Sequence, residues 1–198
     1  NQNRCYNIYN EKINIERTIN CGIESFNLTL PYSEKIKAFN AIQNDDNIRF
    51  SGDTAYNLGV LESGLPMYGS DITEDTNPIE ARLKWMIPKT SRGKYIMQDF
   101  IGSEHIYEKC GFIKRYPRVR VKLMSLNKYG NVPNEKKIHS FNNEYLGDIT
   151  NIYYSIYYNT VCAYGYVNLL DTFGTTNLYL IRTMNKRVVI GDNMYYLK

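Results

Sequence analysis

Short alternating runs in the C-terminal part of the chain constrain its fold more than any other sequence feature. After Pro117, apolar and polar residues alternate in short stretches that Gly, Asn and Pro separate. A period of two is that of a β-strand with one buried face, whereas a helix repeats near 3.6 residues. About six such strands at close spacing are typical of a small antiparallel barrel or sandwich. The runs are VRVKLMSL, KIHSF, EYLGDIT, VCAYGYV, TTNLYLI and RVVI.

The segment before Pro117 mixes strand and helix patterns. Residues 13–19 and 26–30 alternate as strands do, with a turn region between them. A helix with Ser33 as its N-cap follows, and a second helix over 54–64 ends on a glycine suited to a C-cap. The predicted class is therefore α+β, a small mixed α/β layer followed by a C-terminal antiparallel β-barrel.

Two further elements complete the predicted organisation. Residues 65–80 are rich in turn formers without periodicity, which predicts a long connecting loop. Residues 100–111 predict a short helix with Ser103 as N-cap. The change of texture gives two predicted domains, an α+β region with its connecting loop at 1–112 and a β-barrel at 113–198.

Charge and cysteine usage exclude several classes of protein. The net charge of +4 is spread along the chain, and the basic residues of 114–122 alternate with apolar ones, so they are interpreted as the solvated face of a strand. The carboxylates of 71–80 are likewise interpreted as solvated turn residues. Nucleic acid is therefore not an expected partner.

No window has the 18 apolar residues that a membrane helix needs. The four cysteines are widely spaced, which favours buried thiols over disulfides or a zinc site; they are Cys5, Cys21, Cys110 and Cys162.

Motifs that carry chemistry are sparse. The sequence has no P-loop, no GxSxG and no GxGxxG after a strand, and its two histidines stand alone. We therefore predict no catalytic residue and no metal ligand in this chain. It begins at Asn1 without a charged and apolar leader, a start compatible with a missing upstream targeting segment or domain.

A resemblance to one family runs through much of the sequence. LESGLPMYGSDITEDTNPIEARLKW at 61–85 resembles the signature LEAGLxLYGxDIxExTxPxEAxLxW of the aminomethyltransferase of the glycine cleavage system, the T-protein. DFIGSEHI at 99–106 is similar to the family's DFIGREAL, GDITNIYYS at 147–155 to GxVTSGxxS, and AYGYV at 163–167 to AMGYV. The strand pair at 15–31 resembles VTRTGYTGEDGFEISVP.

The closing residues resemble the family's C-terminal pattern, with Gly174, Thr175, Arg182 and Lys186 in place. The resemblance therefore covers nearly the whole chain but only the C-terminal half of a family member. It implies a three-part fold around a tetrahydrofolate channel. The reaction it implies moves a methylene from the aminomethylated lipoyl arm of the H-protein to folate and releases ammonia.

Three substrate-binding candidates follow from the resemblance. The family's folate-binding Glu aligns with Ile23, and Glu24 lies one residue away. The family's Arg aligns with Tyr56, and a tyrosine near the C-terminus of some members aligns with Tyr195. The family's catalytic aspartate belongs to the N-terminal half, so the resemblance places no catalytic residue here.

Two functional interpretations remain open. The chain is either the C-terminal half of a mitochondrial T-protein, inactive by itself, or a non-catalytic T-protein-like subunit of a larger mitochondrial assembly. The resemblance implies tetrahydrofolate as cofactor and the H-protein or the missing N-terminal half as partner, and the second interpretation adds other protein subunits. Tyrosine-rich partner contact is expected at Tyr153, Tyr154, Tyr157 and Tyr158.

Overall fold

A computed structural model describes most of the chain, in two compact units at 1–65 and 66–198. The described residues are 3–8, 11–96, 100–108, 116, 118–128, 131–168 and 187–197.

The first unit contains an antiparallel sheet in the order β1-β2-β3, formed by β1 (Asn3–Ile8), β2 (Glu11–Asn20) and β3 (Ile23–Thr29). A two-residue turn, Cys21 and Gly22, joins the last two strands, with φ of +54° and +75°. Positive φ at both central residues is the geometry of a type I′ hairpin turn, which matches the twist of the strands. The predicted strand pair is thus confirmed.

Two helices follow in the first unit, α1 (Lys35–Gln43) and α2 (Asp53–Ser63). The predicted C-cap is confirmed, because Gly64 follows α2 with a left-handed φ of +82°. The predicted N-cap is wrong. Ser33 lies inside a 3₁₀ turn at Tyr32–Glu34 and makes no capping hydrogen bond. The fixed φ of Pro31 already starts that turn, which the Glu34 amide closes by donating to the Pro31 carbonyl.

The second unit begins with turns and short helical pieces. Residues 66–80 contain no helix or regular strand, as predicted. A 3₁₀ turn spans Lys84–Met86, and α3 spans only Ser103–Ile106. The helix predicted for 100–111 is therefore too long; Gly102, with a left-handed φ, precedes it, and the backbone is extended at its C-cap. Ser103 is the first helical residue rather than the cap.

Six described strands of the second unit close into an antiparallel barrel in the order β4-β7-β6-β5-β8-β9. This confirms the predicted barrel. The strands are β4 (Arg118–Lys128), β5 (Lys137–His139), β6 (Tyr145–Ser155), β7 (Thr160–Asn168), β8 (Arg187–Ile190) and β9 (Asn193–Leu197). The predicted run TTNLYLI lies outside the described residues, and β9 was not among the predicted strands.

Alternation along the strands fills the barrel with apolar side chains. On β4, Val121 and Leu123 point inward, and their neighbours Arg120 and Lys122 lie on the outer face. The core comprises Val121, Leu123, Ile138, Leu146, Ile149, Val161, Ala163, Val167, Val188, Ile190, Tyr195 and Leu197. Its burial is the main stabilising contribution to this unit.

The compact units divide the chain at 65/66, whereas the predicted domains divide it at 112/113. The residues around 112 lie outside those described, so the predicted domains remain a prediction. Within the described ranges, no helix has the length and apolar character needed to cross a membrane.

Candidate functional site

Three of the motifs noted in the sequence meet at one buried carboxylate, that of Asp71, which is 1% exposed. Its Oδ2 accepts hydrogen bonds from the Met67 amide at 3.1 Å and from Arg120 Nη2 at 3.2 Å. Its Oδ1 accepts one from the Thr150 hydroxyl, and the Tyr166 hydroxyl donates to its backbone carbonyl at 2.8 Å. Asp71 belongs to the segment 61–85, while the Thr and Tyr come from the GDIT and AYGYV motifs.

Arg120 supports this centre from the outer face of β4. Only 6% of the residue is exposed, and its guanidinium lies 4.1 Å from the centroid of the Tyr164 ring. Its backbone amide donates to the Glu80 carbonyl at 2.8 Å. A buried charge needs a partner and hydrogen bonds to be tolerated, and Asp71 provides both.

A second ion pair lies beside the first. Arg118 donates from Nε and Nη2 to the two carboxylate oxygens of Glu80, each at 3.3 Å, and its guanidinium lies 4.9 Å from the Tyr166 ring centroid. Residues 66–80, here called the anchor loop, are thus attached to the outside of the barrel by two carboxylates. The parallel fork geometry of an arginine and a carboxylate fixes the position of the loop as well as stabilising it.

The interpretation of these charges as solvated is wrong at three positions. Asp71, Glu80 and Arg120 are all buried. Arg120 lies 49 positions after Asp71, and Arg118 lies 38 positions after Glu80. No local sequence pattern encodes ion pairs over such distances. The signal available in the sequence was the set of signature letters itself, because both carboxylates are fixed letters of the family pattern. Lys114 and Arg115, two further members of the basic cluster, lie outside the described residues.

Two open cavities border the anchor loop. The smaller, of about 460 Å³, has motif residues Asp71, Gly147, Thr150 and Tyr166 in its wall. The larger, of about 670 Å³, lies against the 100–106 segment. Three residues line both cavities, namely Asp75, Thr76 and Arg118.

The polar groups in the wall of the smaller cavity are largely engaged with other groups of the protein. The Tyr145 hydroxyl donates to Asp148 Oδ2 at 2.5 Å, and this hydrogen bond raises the pKa of the tyrosine. Burial raises the pKa of Tyr166. Both phenols therefore stay neutral at physiological pH and donate to Asp148 and to the Asp71 carbonyl, and the guanidinium of Arg118 beside them is paired with Glu80. Among the residues described, no group of three His, Cys, Asp or Glu side chains could hold a metal ion.

The first two predicted binding residues lie in the first compact unit. Glu24 stands at the start of β3, and its Oε1 is 2.6 Å from Arg17 Nε in an exposed ion pair. Tyr56 lies on α2 with its side chain half exposed, and its carbonyl accepts a hydrogen bond from Cys21 Sγ at 3.4 Å. Both residues are therefore close to the hairpin tip at Cys21.

The third predicted residue is inside the barrel. Tyr195 is fully buried in the core, whereas Tyr196 lies on the outer face and its hydroxyl contacts Met124 Sδ at 3.5 Å. Neither cavity includes Tyr195 in its wall.

The three residues do not together fit a folate. The carboxylate of Glu24 can accept hydrogen bonds but already has an arginine partner. Tyr56 lacks the charge and the fork of a guanidinium, and the hydroxyl of Tyr195 faces the core. Their roles in binding folate remain predictions.

Replacing Tyr195 by Phe is expected to reduce the decrease in stability that occurs as the pH rises above 10. Burial, with a smaller effect of Cys162, raises the pKa of Tyr195 from 10.0 to about 12. The unfolded chain releases this proton near pH 10 and the folded barrel near pH 12, so stability is complete below pH 10 and falls as the pH rises through 12. Urea midpoints measured between pH 9 and 12 test this.

At pH 7 the same change should alter the free energy of unfolding by less than about 1 kcal/mol, because the buried hydroxyl has no hydrogen-bond partner among the described residues. Tyr157→Phe, at an exposed ring, is the matched control. Equal alkaline slopes for both variants would contradict the assignment.

The cysteines and the tyrosine cluster show mixed outcomes. Cys162 is buried, as predicted, and Cys21 is partly buried; Cys5 and Cys110 have no described side chains.

In the tyrosine cluster, Tyr157 is exposed but Tyr153 is buried and stacks on the Tyr164 ring. Tyr154 donates to Asn159, and Tyr158 lies under the Lys122 ammonium. The expected partner contact at this cluster is untested.

Comparison with known proteins points to one class of enzyme. The mitochondrial aminomethyltransferase of Solanum tuberosum is 28% identical over 170 residues, which are 84% of this chain and 40% of that protein. The Homo sapiens enzyme is 31% identical over 111 residues, 54% of this chain and 26% of that protein. No family model matches. The chain thus spans less than half the length of these curated relatives.

A solved structure shows the same fold. The glycine cleavage system aminomethyltransferase T of Bartonella henselae superposes with a TM-score of 0.68 at 22% identity, covering 93% of this chain and 48% of that one. The curated homologues of this chain are thus aminomethyltransferases, its structural neighbour is a glycine cleavage T-protein, and its partial coverage of them is consistent with a C-terminal half.

Proposed function

We propose that this chain forms the C-terminal half of a T-protein-like aminomethyltransferase. The complete enzyme would transfer a methylene from the aminomethylated lipoyl arm of an H-protein to tetrahydrofolate, with release of ammonia. The proposal depends on the contacts of three family motifs at Asp71. These contacts explain why motif residues spread over 61–167 occur together, since they join in one structural unit. A mitochondrial location is proposed from the names of relatives such as the potato enzyme.

The chain alone is expected to lack this activity. In the resemblance, the catalytic aspartate belongs to the half of the family that this chain does not match. Positioning of the two substrates would supply most of the rate, and a half-channel cannot position them.

A non-catalytic role is the second candidate, and specific observations favour it. Glu24 is held by Arg17, Tyr56 replaces a guanidinium, and Tyr195 is enclosed. These features leave a folate without the partners that the family provides. In this case the chain would serve as a structural subunit of a larger assembly.

A chimera distinguishes the two candidates. The part of the potato enzyme that precedes the matched region is fused to this chain, and ammonia release from aminomethylated H-protein is measured with tetrahydrofolate. We expect activity above background from the chimera and none from this chain or the potato segment alone. Activity of the isolated chain would overturn the half-enzyme proposal.

A folded but inactive chimera favours the non-catalytic role, and restoring the family letters then tests it further. The double change Ile23→Glu with Tyr56→Arg should produce activity if only the folate contacts were lost. The double change Ile23→Gln with Tyr56→Lys is the matched control, since neither side chain restores the family's carboxylate or its planar fork.

A further inference from the structure

The sheet of the first compact unit has one apolar face and one polar face. Directly opposed residues of antiparallel strands share a face. The register pairs Ile15 with Leu28, Arg17 with Phe26 and Ile19 with Glu24. These six residues, here called the β2–β3 face, are therefore neighbours on one side of the sheet. The opposite side carries Asn14, Glu16, Thr18, Asn20, Ile23, Ser25, Asn27 and Thr29, all polar except Ile23.

The apolar side is the uncovered one. Ile19 is 70% exposed, Phe26 61% and Leu28 50%. An antiparallel sheet with one apolar face normally packs that face on a core. Helix α1 leaves its own Ile36 and Phe39 exposed as well, and the buried apolar residues described in this unit are Val60 and Leu61 of α2. Exposed apolar residues gathered on one face in this way are typical of a contact with another polypeptide.

The charges on the β2–β3 face indicate which kind of partner it can bind. Its two charged side chains, Arg17 and Glu24, pair with each other at 2.6 Å, so the face carries no net charge. Covering an ion pair that is already formed leaves neither charge without a partner. The face thus suits an apolar protein surface rather than a polyanion.

The extent of the similarity indicates the occupant. The Bartonella henselae protein matches 93% of this chain, yet more than half of that protein lies outside the match. The potato relative likewise has most of its length outside. The part of these proteins that lies outside the match is large enough to cover a three-stranded sheet, and it belongs to the same fold as the matched part.

We propose that the β2–β3 face is the docking surface for the half of the T-protein fold that this chain does not cover. The inference rests on the proposed function for the identity of the partner, but it concerns assembly and needs neither folate nor H-protein. Phe26 is the central aromatic residue of the face, directly opposite Arg17. Buried aromatic residues near the centre of an interface contribute most to affinity.

Binding measurements test the proposal with two matched variants. Phe26→Lys places a charge on the β2–β3 face, and Asn27→Lys places the same charge on the opposite side, one residue along the same strand. The probe is the unmatched N-terminal segment of the potato enzyme, co-expressed with each variant. Complexes are measured by light scattering and titration. Since both positions are exposed, circular dichroism should show equal folding.

We expect a 1:1 complex with the original chain and with Asn27→Lys, and at least a tenfold weaker one with Phe26→Lys. Ile19→Lys, at another exposed apolar position of the face, should weaken binding similarly. Equal binding by Phe26→Lys and Asn27→Lys would overturn the proposal, as would a failure of the original chain to bind. A complex containing only copies of this chain, disrupted by Phe26→Lys, would replace the proposed occupant by a second copy. A complex that forms but lacks activity would count against the proposed function and leave the docking surface supported.

Discussion

Replacing Asp71 by Ala is expected to lower the free energy of unfolding of the second unit by about 3–5 kcal/mol. The change removes the carboxylate that pairs with Arg120, whose guanidinium is buried and would be left without its opposite charge. It also deprives the Met67 amide and the Thr150 hydroxyl of an acceptor. Urea unfolding followed by circular dichroism measures the effect.

The control is Asp75→Ala, an exposed carboxylate of the same loop, which should change stability by less than about 0.5 kcal/mol. A double variant, Asp71→Ala with Arg120→Ala, should be less destabilised than the sum of the two single changes, because it leaves no unpaired charge. Additive effects, or an Asp71 variant as stable as the control, would show that the pair does not hold the anchor loop.

Substituting Ala for Gly165 is expected to destabilise the barrel by about 3 kcal/mol or more. An added Cβ would lie 2.4 Å from the Asp148 carbonyl oxygen, on the neighbouring strand. At Gly147 it would lie 1.9 Å from the Tyr166 carbonyl oxygen. Both contacts are with backbone, so relief requires β6 and β7 to move apart, which would break their hydrogen-bonded register.

Thermal unfolding and soluble yield are the measurements for the Gly147→Ala and Gly165→Ala variants. Gly52→Ala is the control, since an added Cβ meets no atom within 4 Å there and the φ of −81° is ordinary. Its expected cost is below about 1 kcal/mol, because Gly52 is the N-cap of α2 and Ala is a poorer N-cap than Gly. If Gly147→Ala and Gly165→Ala unfolded at the same temperature as the original chain, the close approach of β6 and β7 would be refuted.

The parts of the fold that repeat locally were predictable. The period-two runs of β4, β6 and β7 are visible in the sequence because each strand has one face in the barrel core. Gly64 marks the end of α2 for an equally local reason, the left-handed φ that a C-cap needs. The start of α1 was missed because the turn closed by Pro31 competes with the cap expected at Ser33.

The candidate site depended on contacts that no local pattern contains. Arg120 alternates with Val119 and Val121 as a solvated residue would, but the anchor loop and the Tyr164 ring cover it. The same holds for Asp71, whose turn-rich surroundings are typical of solvent. The folate candidates were predicted from the family resemblance, which could not tell that Tyr195 faces inward and Tyr196 outward, a difference that one residue of register decides.

The crowding of Gly147 against β7 and of Gly165 against β6 has a consequence for how relatives of this chain can be detected. These glycines, with Asp71, Thr150 and Tyr166, are the letters by which the resemblance is read, and each is explained by the assembly of the barrel and its loop. A lineage that lost its substrate contacts would still need them in order to fold. Diagnostic letters and substrate contacts can therefore diverge independently, and a survey of relatives should score positions 23 and 56, which the resemblance aligns with the family's folate contacts, separately from the motifs.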